Sequence, residues 1–386
     1  MKVVFTGGGT GGHVNPAIAI ADTIKRLEPD SEITFVGTPR GIENKLVPDA
    51  GYPLRHVDIR GLRRSLSLSN IKTLYLTLTS PGKAKKLLRE LKPDIVLGTG
   101  GYVCWPVVKA ASKMGIPTAL HESNAVPGAA VRMLSGAVDR VYLNFEETAS
   151  AFSDKSKLYR VGNPLRGGFD KITREEGRRL AGIDDKYKYT VLSFGGSLGA
   201  EKVNEAVLDM MRDFSSGRDD VYHVHACGSI EWEEAQKEFK ERGLEGCENL
   251  SLCEYIYNMP ELMAAADIVI CRAGAMTVSE LAMCKKCVIF IPSPNVTNNH
   301  QFKNAAVLRD AGAAELIEES ELAVRPLAKV AEELLSPDGD TTRKSMCEKI
   351  SGFAVKDACT LIYNDMKRLI GSAKDAVSFG RGTKSK

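Results

Sequence analysis

The chain has 386 residues, 43% hydrophobic and 26% charged, with a formal net charge of +3. That composition excludes collagen-like, low-complexity and wholly disordered chains, and at this length two domains are expected rather than one core. No uncharged apolar run approaches the ~20 residues of a membrane span, the start Met1–Thr6 is too short for a signal peptide, and nine irregularly spaced cysteines suit reduced thiols, so a cytosolic setting is expected.

The first predicted strand, Lys2–Thr6, runs into Gly7-Gly8-Gly9-Thr10-Gly11-Gly12-His13, with five glycines in seven positions. Glycine lets main-chain N–H groups close around an anion, and the helix predicted over Pro16–Leu27 adds the positive end of its dipole. The pattern G-x-G-x-x-G is present at Gly7, Gly9 and Gly12, as in dinucleotide sites. Those sites also carry an acid at the end of the second strand. Here the strand Glu32–Gly37 leads into Thr38-Pro39-Arg40, which weighs against a nicotinamide oxidoreductase. His13 is either a capping imidazole or a group that contacts phosphate or takes a proton near neutral pH.

After a third strand, Leu54–Ile59, residues 60–92 hold nine Lys or Arg against one acid, Glu90. Leu62, Leu66, Leu68, Ile71, Leu74, Tyr75, Leu76 and Leu78 are interleaved, and Pro81-Gly82 divides the stretch. It reads either as two helices with solvated cations or as a surface that sinks apolar side chains among anionic lipids, each cation adding ~1 kcal/mol. Nucleic acid is disfavoured, because no nucleic-acid motif is present and the rest of the chain is close to neutral.

Strands follow at Asp94–Gly98, Thr118–His121 and Arg140–Leu143, with the polar cluster His121-Glu122-Ser123-Asn124 after the second of them. Gly162-Asn163-Pro164-Leu165-Arg166 marks a linker, where Arg166 is either a surface charge or a cation facing a diphosphate. The pattern then restarts: Thr190–Phe194 enters Gly195-Gly196-Ser197-Leu198-Gly199-Ala200, a second anion-binding turn with the Ser197 hydroxyl as an extra donor. The two turn-bearing strands start 188 residues apart, so two doubly wound α/β halves are expected, with ligands at the carboxyl ends of their strands in a cleft between them.

In the second half, strands are predicted at Val221–Ala226, Asn249–Cys253, Ile268–Cys271, Val288–Ile291 and Ala314–Ile317. His223 and His225 share one strand face and read as structural. In Cys271–Glu280, Gly274-Ala275 leaves room for a ligand. Glu280 could there accept two hydroxyls of a ribose or sugar, or close a capping box with Thr277. Cys284-Lys-Lys-Cys287 reads as filler between a helix and a strand. Asn298-Asn299-His300-Gln301 is a further polar cluster, and Asp338-Gly339-Asp340 reads as a turn. No metal or cofactor is expected, so phosphate charge would be met by main-chain N–H groups, Ser and Arg. The tail 371–386 alone carries +3 and is expected to be disordered.

In this order, GGGTGGH, HESN, GNPLR, GGSLGA, CRAGAMTVSE and HQFKNA resemble the motifs of the MurG family of bacterial glycosyltransferases, over residues 1 to about 370. The resemblance implies a GT-B-type α/β fold of two Rossmann-like domains facing a cleft. Residues 1–163, with a helix at about 352–370 crossing back, would bind the acceptor and the membrane; residues 164–350 would bind the donor. N-acetylglucosamine would pass from UDP-N-acetylglucosamine to the 4-hydroxyl of N-acetylmuramic acid in undecaprenyl-linked lipid I, with inversion, to give lipid II.

Carried over by motif, Arg166 and Ser197 would contact the donor diphosphate, Ile256 would pair with uracil through its backbone, and Ala275, Met276 and Thr277 would line the nucleotide pocket. Glu280 would bind the ribose and Gln301 the sugar, which Asn124, Thr10, Gly11 and Gly12 would reach from the first domain. His13, favoured, and Glu122 are the two candidates for the general base. The enzyme would sit peripherally on the cytoplasmic face, with 60–92 on the anionic inner leaflet. Ser123 and Leu198 stand where the family often has Gln. The alternatives are a related transferase acting on another lipid such as diacylglycerol, or a lipid-surface binding module without turnover.

Overall fold

Apolar runs such as Ile95-Val96-Leu97, buried on both faces, belong to parallel strands covered by helices on either side. The computed structural model describes residues 1–59 and 69–382, with side chains for 1–59 and 79–375. These form two units, Met1–Arg166 with Val355–Lys386, and Gly167–Ala354. The first boundary falls after Arg166 rather than after residue 163, because Arg166 pairs with Asp22 and the Gly162 amide bonds the Leu143 carbonyl.

The first unit holds seven parallel strands: β1 (Lys2–Gly7), β2 (Glu32–Gly37), β3 (Leu54–His56), β4 (Ile95–Gly100), β5 (Thr118–Glu122), β6 (Arg140–Leu143) and β7 (Leu158–Arg160). Their order is β3-β2-β1-β4-β5-β6-β7. β7 is absent from the sequence reading, since three residues at a sheet edge carry no apolar period. Helix α1 (Gly11–Leu27) and the last helix, Ala358–Gly382, cover one face, where Phe5, Ile18, Ile24, Ile362 and Met366 pack together. After the short α2 (Glu43–Asp49), α3 (Ser69–Leu91) and α4 (Cys104–Lys113) contribute Ala84, Leu88, Val107 and Val108 to the core that includes Val96.

Pro81-Gly82 does not divide its segment, contrary to expectation: α3 runs through it. Proline removes one main-chain hydrogen bond, and burial of Ala84, Leu87 and Leu88 just beyond anchors the continuation. Lys83, Lys85, Lys86 and Arg89 are exposed on that same turn-and-a-half. Residues 60–68 and the side chains of 69–78, on which much of the membrane-surface expectation rests, lie outside the described residues.

The last helix is tied to the first unit by Asp365, which accepts from Arg140 Nε at 2.8 Å and from the buried Tyr142 hydroxyl at 3.0 Å. The expected disorder of the tail is corrected through Gly382, to which this helix extends. Adding residues to a formed helix costs little, and Lys374 meets Asp94 at 3.5 Å.

The second unit holds β8 (Tyr189–Phe194), β9 (Val221–Ala226), β10 (Leu250–Cys253), β11 (Ile268–Cys271), β12 (Cys287–Phe290) and β13 (Glu315–Leu316), all parallel, in the order β10-β9-β8-β11-β12-β13. Inside it, Ser193 Oγ lies 2.9 Å from both His223 Nε2 and His225 Nδ1, while Ser215 Oγ meets His223 Nδ1 at 2.9 Å. Burial pushes His223 down to about 3 and His225 to about 4, so both are neutral structural groups. Cys284 ends the helix Ala275–Met283 and Cys287 opens β12, a packing role. Asp338-Gly339-Asp340 begins a helix, Gly339–Ser351, rather than a free turn: Asp340 bonds Arg343 and Lys344 one turn along.

Candidate functional site

Each sheet has one place where the chain reverses its direction of winding, between β1 and β4 in the first unit and between β8 and β11 in the second. Ligands of such sheets sit beyond the carboxyl ends of the strands at these points. Thr10–His13 follow β1, Ser197 follows β8 and Ala275–Thr277 follow β11, at these points; Glu122 ends β5, and Asn124, Ile256, Gln301 and Arg166 follow other strands.

In the first unit the turn after β1 leads into α1, with Gly9 at φ +87°, Thr10 as the extended N-cap and no acid in the first turn. The first N–H groups of a helix have no partner within it, so Gly11 and Gly12 present main-chain donors at a positive helix end. His13 Nδ1 lies 3.0 Å from the Gly8 carbonyl and 3.3 Å from Thr10 Oγ1. Donation to the carbonyl fixes the Nδ1–H tautomer and makes Nε2 the basic nitrogen. The ring rests on the turn after β4: a Cβ at Gly100, where φ is +115°, would come within 2.4 Å of His13 Cδ2.

At the end of the neighbouring β5, Glu122 is buried and accepts from Asn124 N at 2.9 Å, Asn124 Nδ2 at 3.1 Å and Gly128 N at 2.8 Å. It therefore shapes the Asn124–Gly128 loop and orients Asn124. His121 beneath it meets the Gly162 carbonyl at 2.9 Å, and burial pushes it down to about 4. Arg166 belongs to this unit too, its guanidinium 3.2 Å from Asp22 on α1 in an exposed pair.

In the second unit Ser197 is exposed in the turn after β8, between Gly196 at φ +107° and Gly199 at φ +95°. Across the winding reversal, Gly274 is the N-cap of the helix Ala275–Met283, with no side-chain cap and no acid in the first turn. This removes the capping-box reading of Thr277 and Glu280. Among the described residues Glu280 makes no side-chain hydrogen bond, and desolvation pushes its carboxyl up to about 7. Such a group gains from any hydroxyl donor brought to it.

Ile256, in the loop after β10, is buried between the exposed Tyr255 and Tyr257, and its backbone has no hydrogen-bond partner among the described residues. Gln301 Oε1 accepts from Ser293 N at 2.9 Å, which orients its amide nitrogen. Among the described residues no three His, Cys, Asp or Glu are grouped to hold a metal ion, and no helix is long and apolar enough to cross a membrane.

Two contributors escaped the sequence reading. The glycines after β4 were legible as Gly98-Thr99-Gly100-Gly101, a third glycine cluster at a strand end. Glu43, buried beneath the first turn, had no signal, since it lies beyond the strand end where an acid would be sought.

Models described as glycosyltransferase family 28 N-terminal domain and C-terminal domain match residues 3–143 and 190–361. The chain is 40% identical over 370 residues to the UDP-N-acetylglucosamine–N-acetylmuramyl-(pentapeptide) pyrophosphoryl-undecaprenol N-acetylglucosamine transferase of Thermoanaerobacter sp. (strain X514), covering 96% of this chain and 100% of that one. It is 41% identical over 352 residues to the protein of the same name from Halalkalibacterium halodurans, covering 91% and 95%. The crystal structure of Acinetobacter baumannii MurG is similar with a TM-score of 0.77 at 28% identity, covering 95% of this chain and 99% of that chain.

Proposed function

The chain belongs to glycosyltransferase family 28, and from that premise we propose that it moves N-acetylglucosamine from UDP-N-acetylglucosamine to the 4-hydroxyl of N-acetylmuramic acid in undecaprenyl-linked lipid I, making lipid II for peptidoglycan. The observation that carries this reading is end-to-end similarity, at 40% identity, to transferases whose name states that donor, acceptor and sugar.

Donor recognition falls to the second unit. Glu280 accepts two ribose hydroxyls, whose donation replaces the water it has lost. The backbone edge of Ile256 pairs with uracil. The helix start at Ala275, Met276 and Thr277, together with the Ser197 hydroxyl, meets the diphosphate charge. Gln301, held through Oε1, offers its amide N–H groups to the sugar.

In the first unit Gly11, Gly12, Thr10 and Asn124 contact the transferring sugar and the acceptor's phosphates. His13 Nε2 takes the proton of the 4-hydroxyl as its oxygen attacks the anomeric carbon. The bond to the UDP oxygen breaks on the opposite face, and that geometry inverts the centre. Glu122, already accepting three N–H donors, suits orientation of Asn124 better than proton transfer. Arg166, engaged by Asp22, is given no part in the step.

Attachment is peripheral, on the anionic cytoplasmic leaflet, with the exposed Lys83, Lys85, Lys86 and Arg89 each supplying about 1 kcal/mol. Labelled UDP-N-acetylglucosamine incubated with a lipid I analogue or diacylglycerol, with and without EDTA, tests the proposal. Transfer to the lipid I analogue that survives EDTA supports it. Transfer to diacylglycerol alone, or to neither lipid in any detergent or vesicle, overturns it.

A further inference from the structure

We propose that Glu43 is a positioning residue for His13, acting through the single peptide group between Gly8 and Gly9. The N–H of that group, on Gly9, donates to Glu43 Oε2 at 2.9 Å. Its carbonyl, on Gly8, accepts from His13 Nδ1 at 3.0 Å. The peptide is planar and its resonance couples the two ends. A carboxylate on the N–H therefore increases the negative charge on the carbonyl oxygen, as hydrogen-bonded chains polarise one another. The carbonyl then holds Nδ1–H more firmly and favours the imidazolium that forms when Nε2 accepts a proton. The role rests on His13 being the base proposed above.

The site under the turn is built for this carboxylate. Glu43 is fully buried, which acids rarely are unless satisfied, and no cation pairs with it among the described residues. Besides Gly9, its partners are the Thr38 amide at 2.9 Å and the Thr38 hydroxyl at 2.8 Å. Glycines clear the space: a Cβ at Gly8, Gly37 or Gly41 would come within 2.5, 2.6 or 1.9 Å of the Glu43 side chain. Burial alone would favour its protonation, but the main-chain donors outweigh this and hold the carboxyl below its ordinary value. Nearby polar groups are engaged elsewhere, Arg40 with Asp58 and His56 with Asn44.

Isotope-labelled protein tests the relay by NMR titration of the His13 ring and the Gly9 amide. In the unaltered chain the Gly9 amide shift should follow the His13 titration; a Gly9 signal that stays flat through it overturns the proposal without any variant. Glu43→Gln keeps the size but loses the charge, and should lower the His13 midpoint by about half a unit or more. It should also reduce kcat roughly tenfold with the KM for UDP-N-acetylglucosamine within twofold. Thr38→Val removes only the hydroxyl bond and should leave both readouts near those of the unaltered chain. An unchanged His13 midpoint in Glu43→Gln, or an equal loss in Thr38→Val, overturns the role. Coupled titrations in a protein inert toward lipid I would instead uphold the relay and overturn the function.

Discussion

The hydroxyl of Tyr142, in the middle of the first sheet, donates to Asp365 at 3.0 Å across 223 positions of sequence. Arg140 meets the same carboxylate oxygen at 2.8 Å. One acid thus fastens the last helix to β6, and it is almost fully buried. Asp365→Ala should cost about 2–4 kcal/mol, because it orphans a buried hydroxyl and leaves a partly buried cation without its counter-charge. Denaturant unfolding measures this, and UDP affinity should be unchanged.

If Glu280 accepts the ribose hydroxyls as proposed, nucleotide binding depends on pH. Its carboxyl titrates at about 7 without ligand, and hydroxyl donors from a ribose favour the charged form. UDP binding should therefore release a proton near pH 7 and weaken as pH falls from 8 to 6. Calorimetry in buffers of different ionisation enthalpy reads the release, which Glu280→Gln should abolish. The raised value also means that the folded state binds the extra proton between pH 4.5 and 7, a stabilising contribution lost as pH rises through 7. Glu280→Gln should accordingly raise stability at pH 8, on the order of 1–3 kcal/mol.

His13→Ala should lower kcat by roughly 10²–10⁴-fold while leaving UDP affinity alone. Turnover within a few-fold of the unaltered chain would remove His13 from catalysis. Gly100→Ala checks the geometry from the other side. The new methyl group would meet the imidazole at a backbone angle suited to glycine, so activity should fall although no reacting group has changed.

Three buried histidines set the acid limit. His121, His223 and His225 are held neutral, at about 4, 3 and 4, whereas an unfolded chain protonates them near 6.5. Below pH 6.5 the unfolded state binds more protons, so stability falls as pH drops, by up to about 1.4 kcal/mol per unit for each ring. Thermal unfolding from pH 7 to 5 should show this fall. Ser193→Ala, which removes the hydroxyl shared by His223 and His225, should cost about 1–3 kcal/mol at pH 7.

Much of the fold is legible in the sequence. The apolar strands, the glycine turns at their ends and the restart in the second half are local features, because a strand buried on both faces must be apolar and a tight turn to a helix favours glycine. His13 and Ser197 stand in those glycine turns, and Glu280 one turn into the helix after β11, so their choice as candidates is local too. Two features left no such local signal: β7 has only three residues, and the passage of α3 through Pro81 depends on what its far side buries.

Tertiary structure alone decided which partners each polar group meets. Sequence spacing left Thr277 and Glu280 open between a cap and a ligand site, and Gly274 as N-cap removed the first of these. It left Arg166 without a partner to name, and the structure shows an exposed pair with Asp22. Glu43 stood outside every motif until the β2–α2 connection carried it under Gly9, 34 positions earlier. Periodicity records which face of an element is buried, because burial repeats with the helix or strand. A hydrogen bond between distant residues depends on strand order and on the depth at which two side chains meet, and no local pattern encodes either.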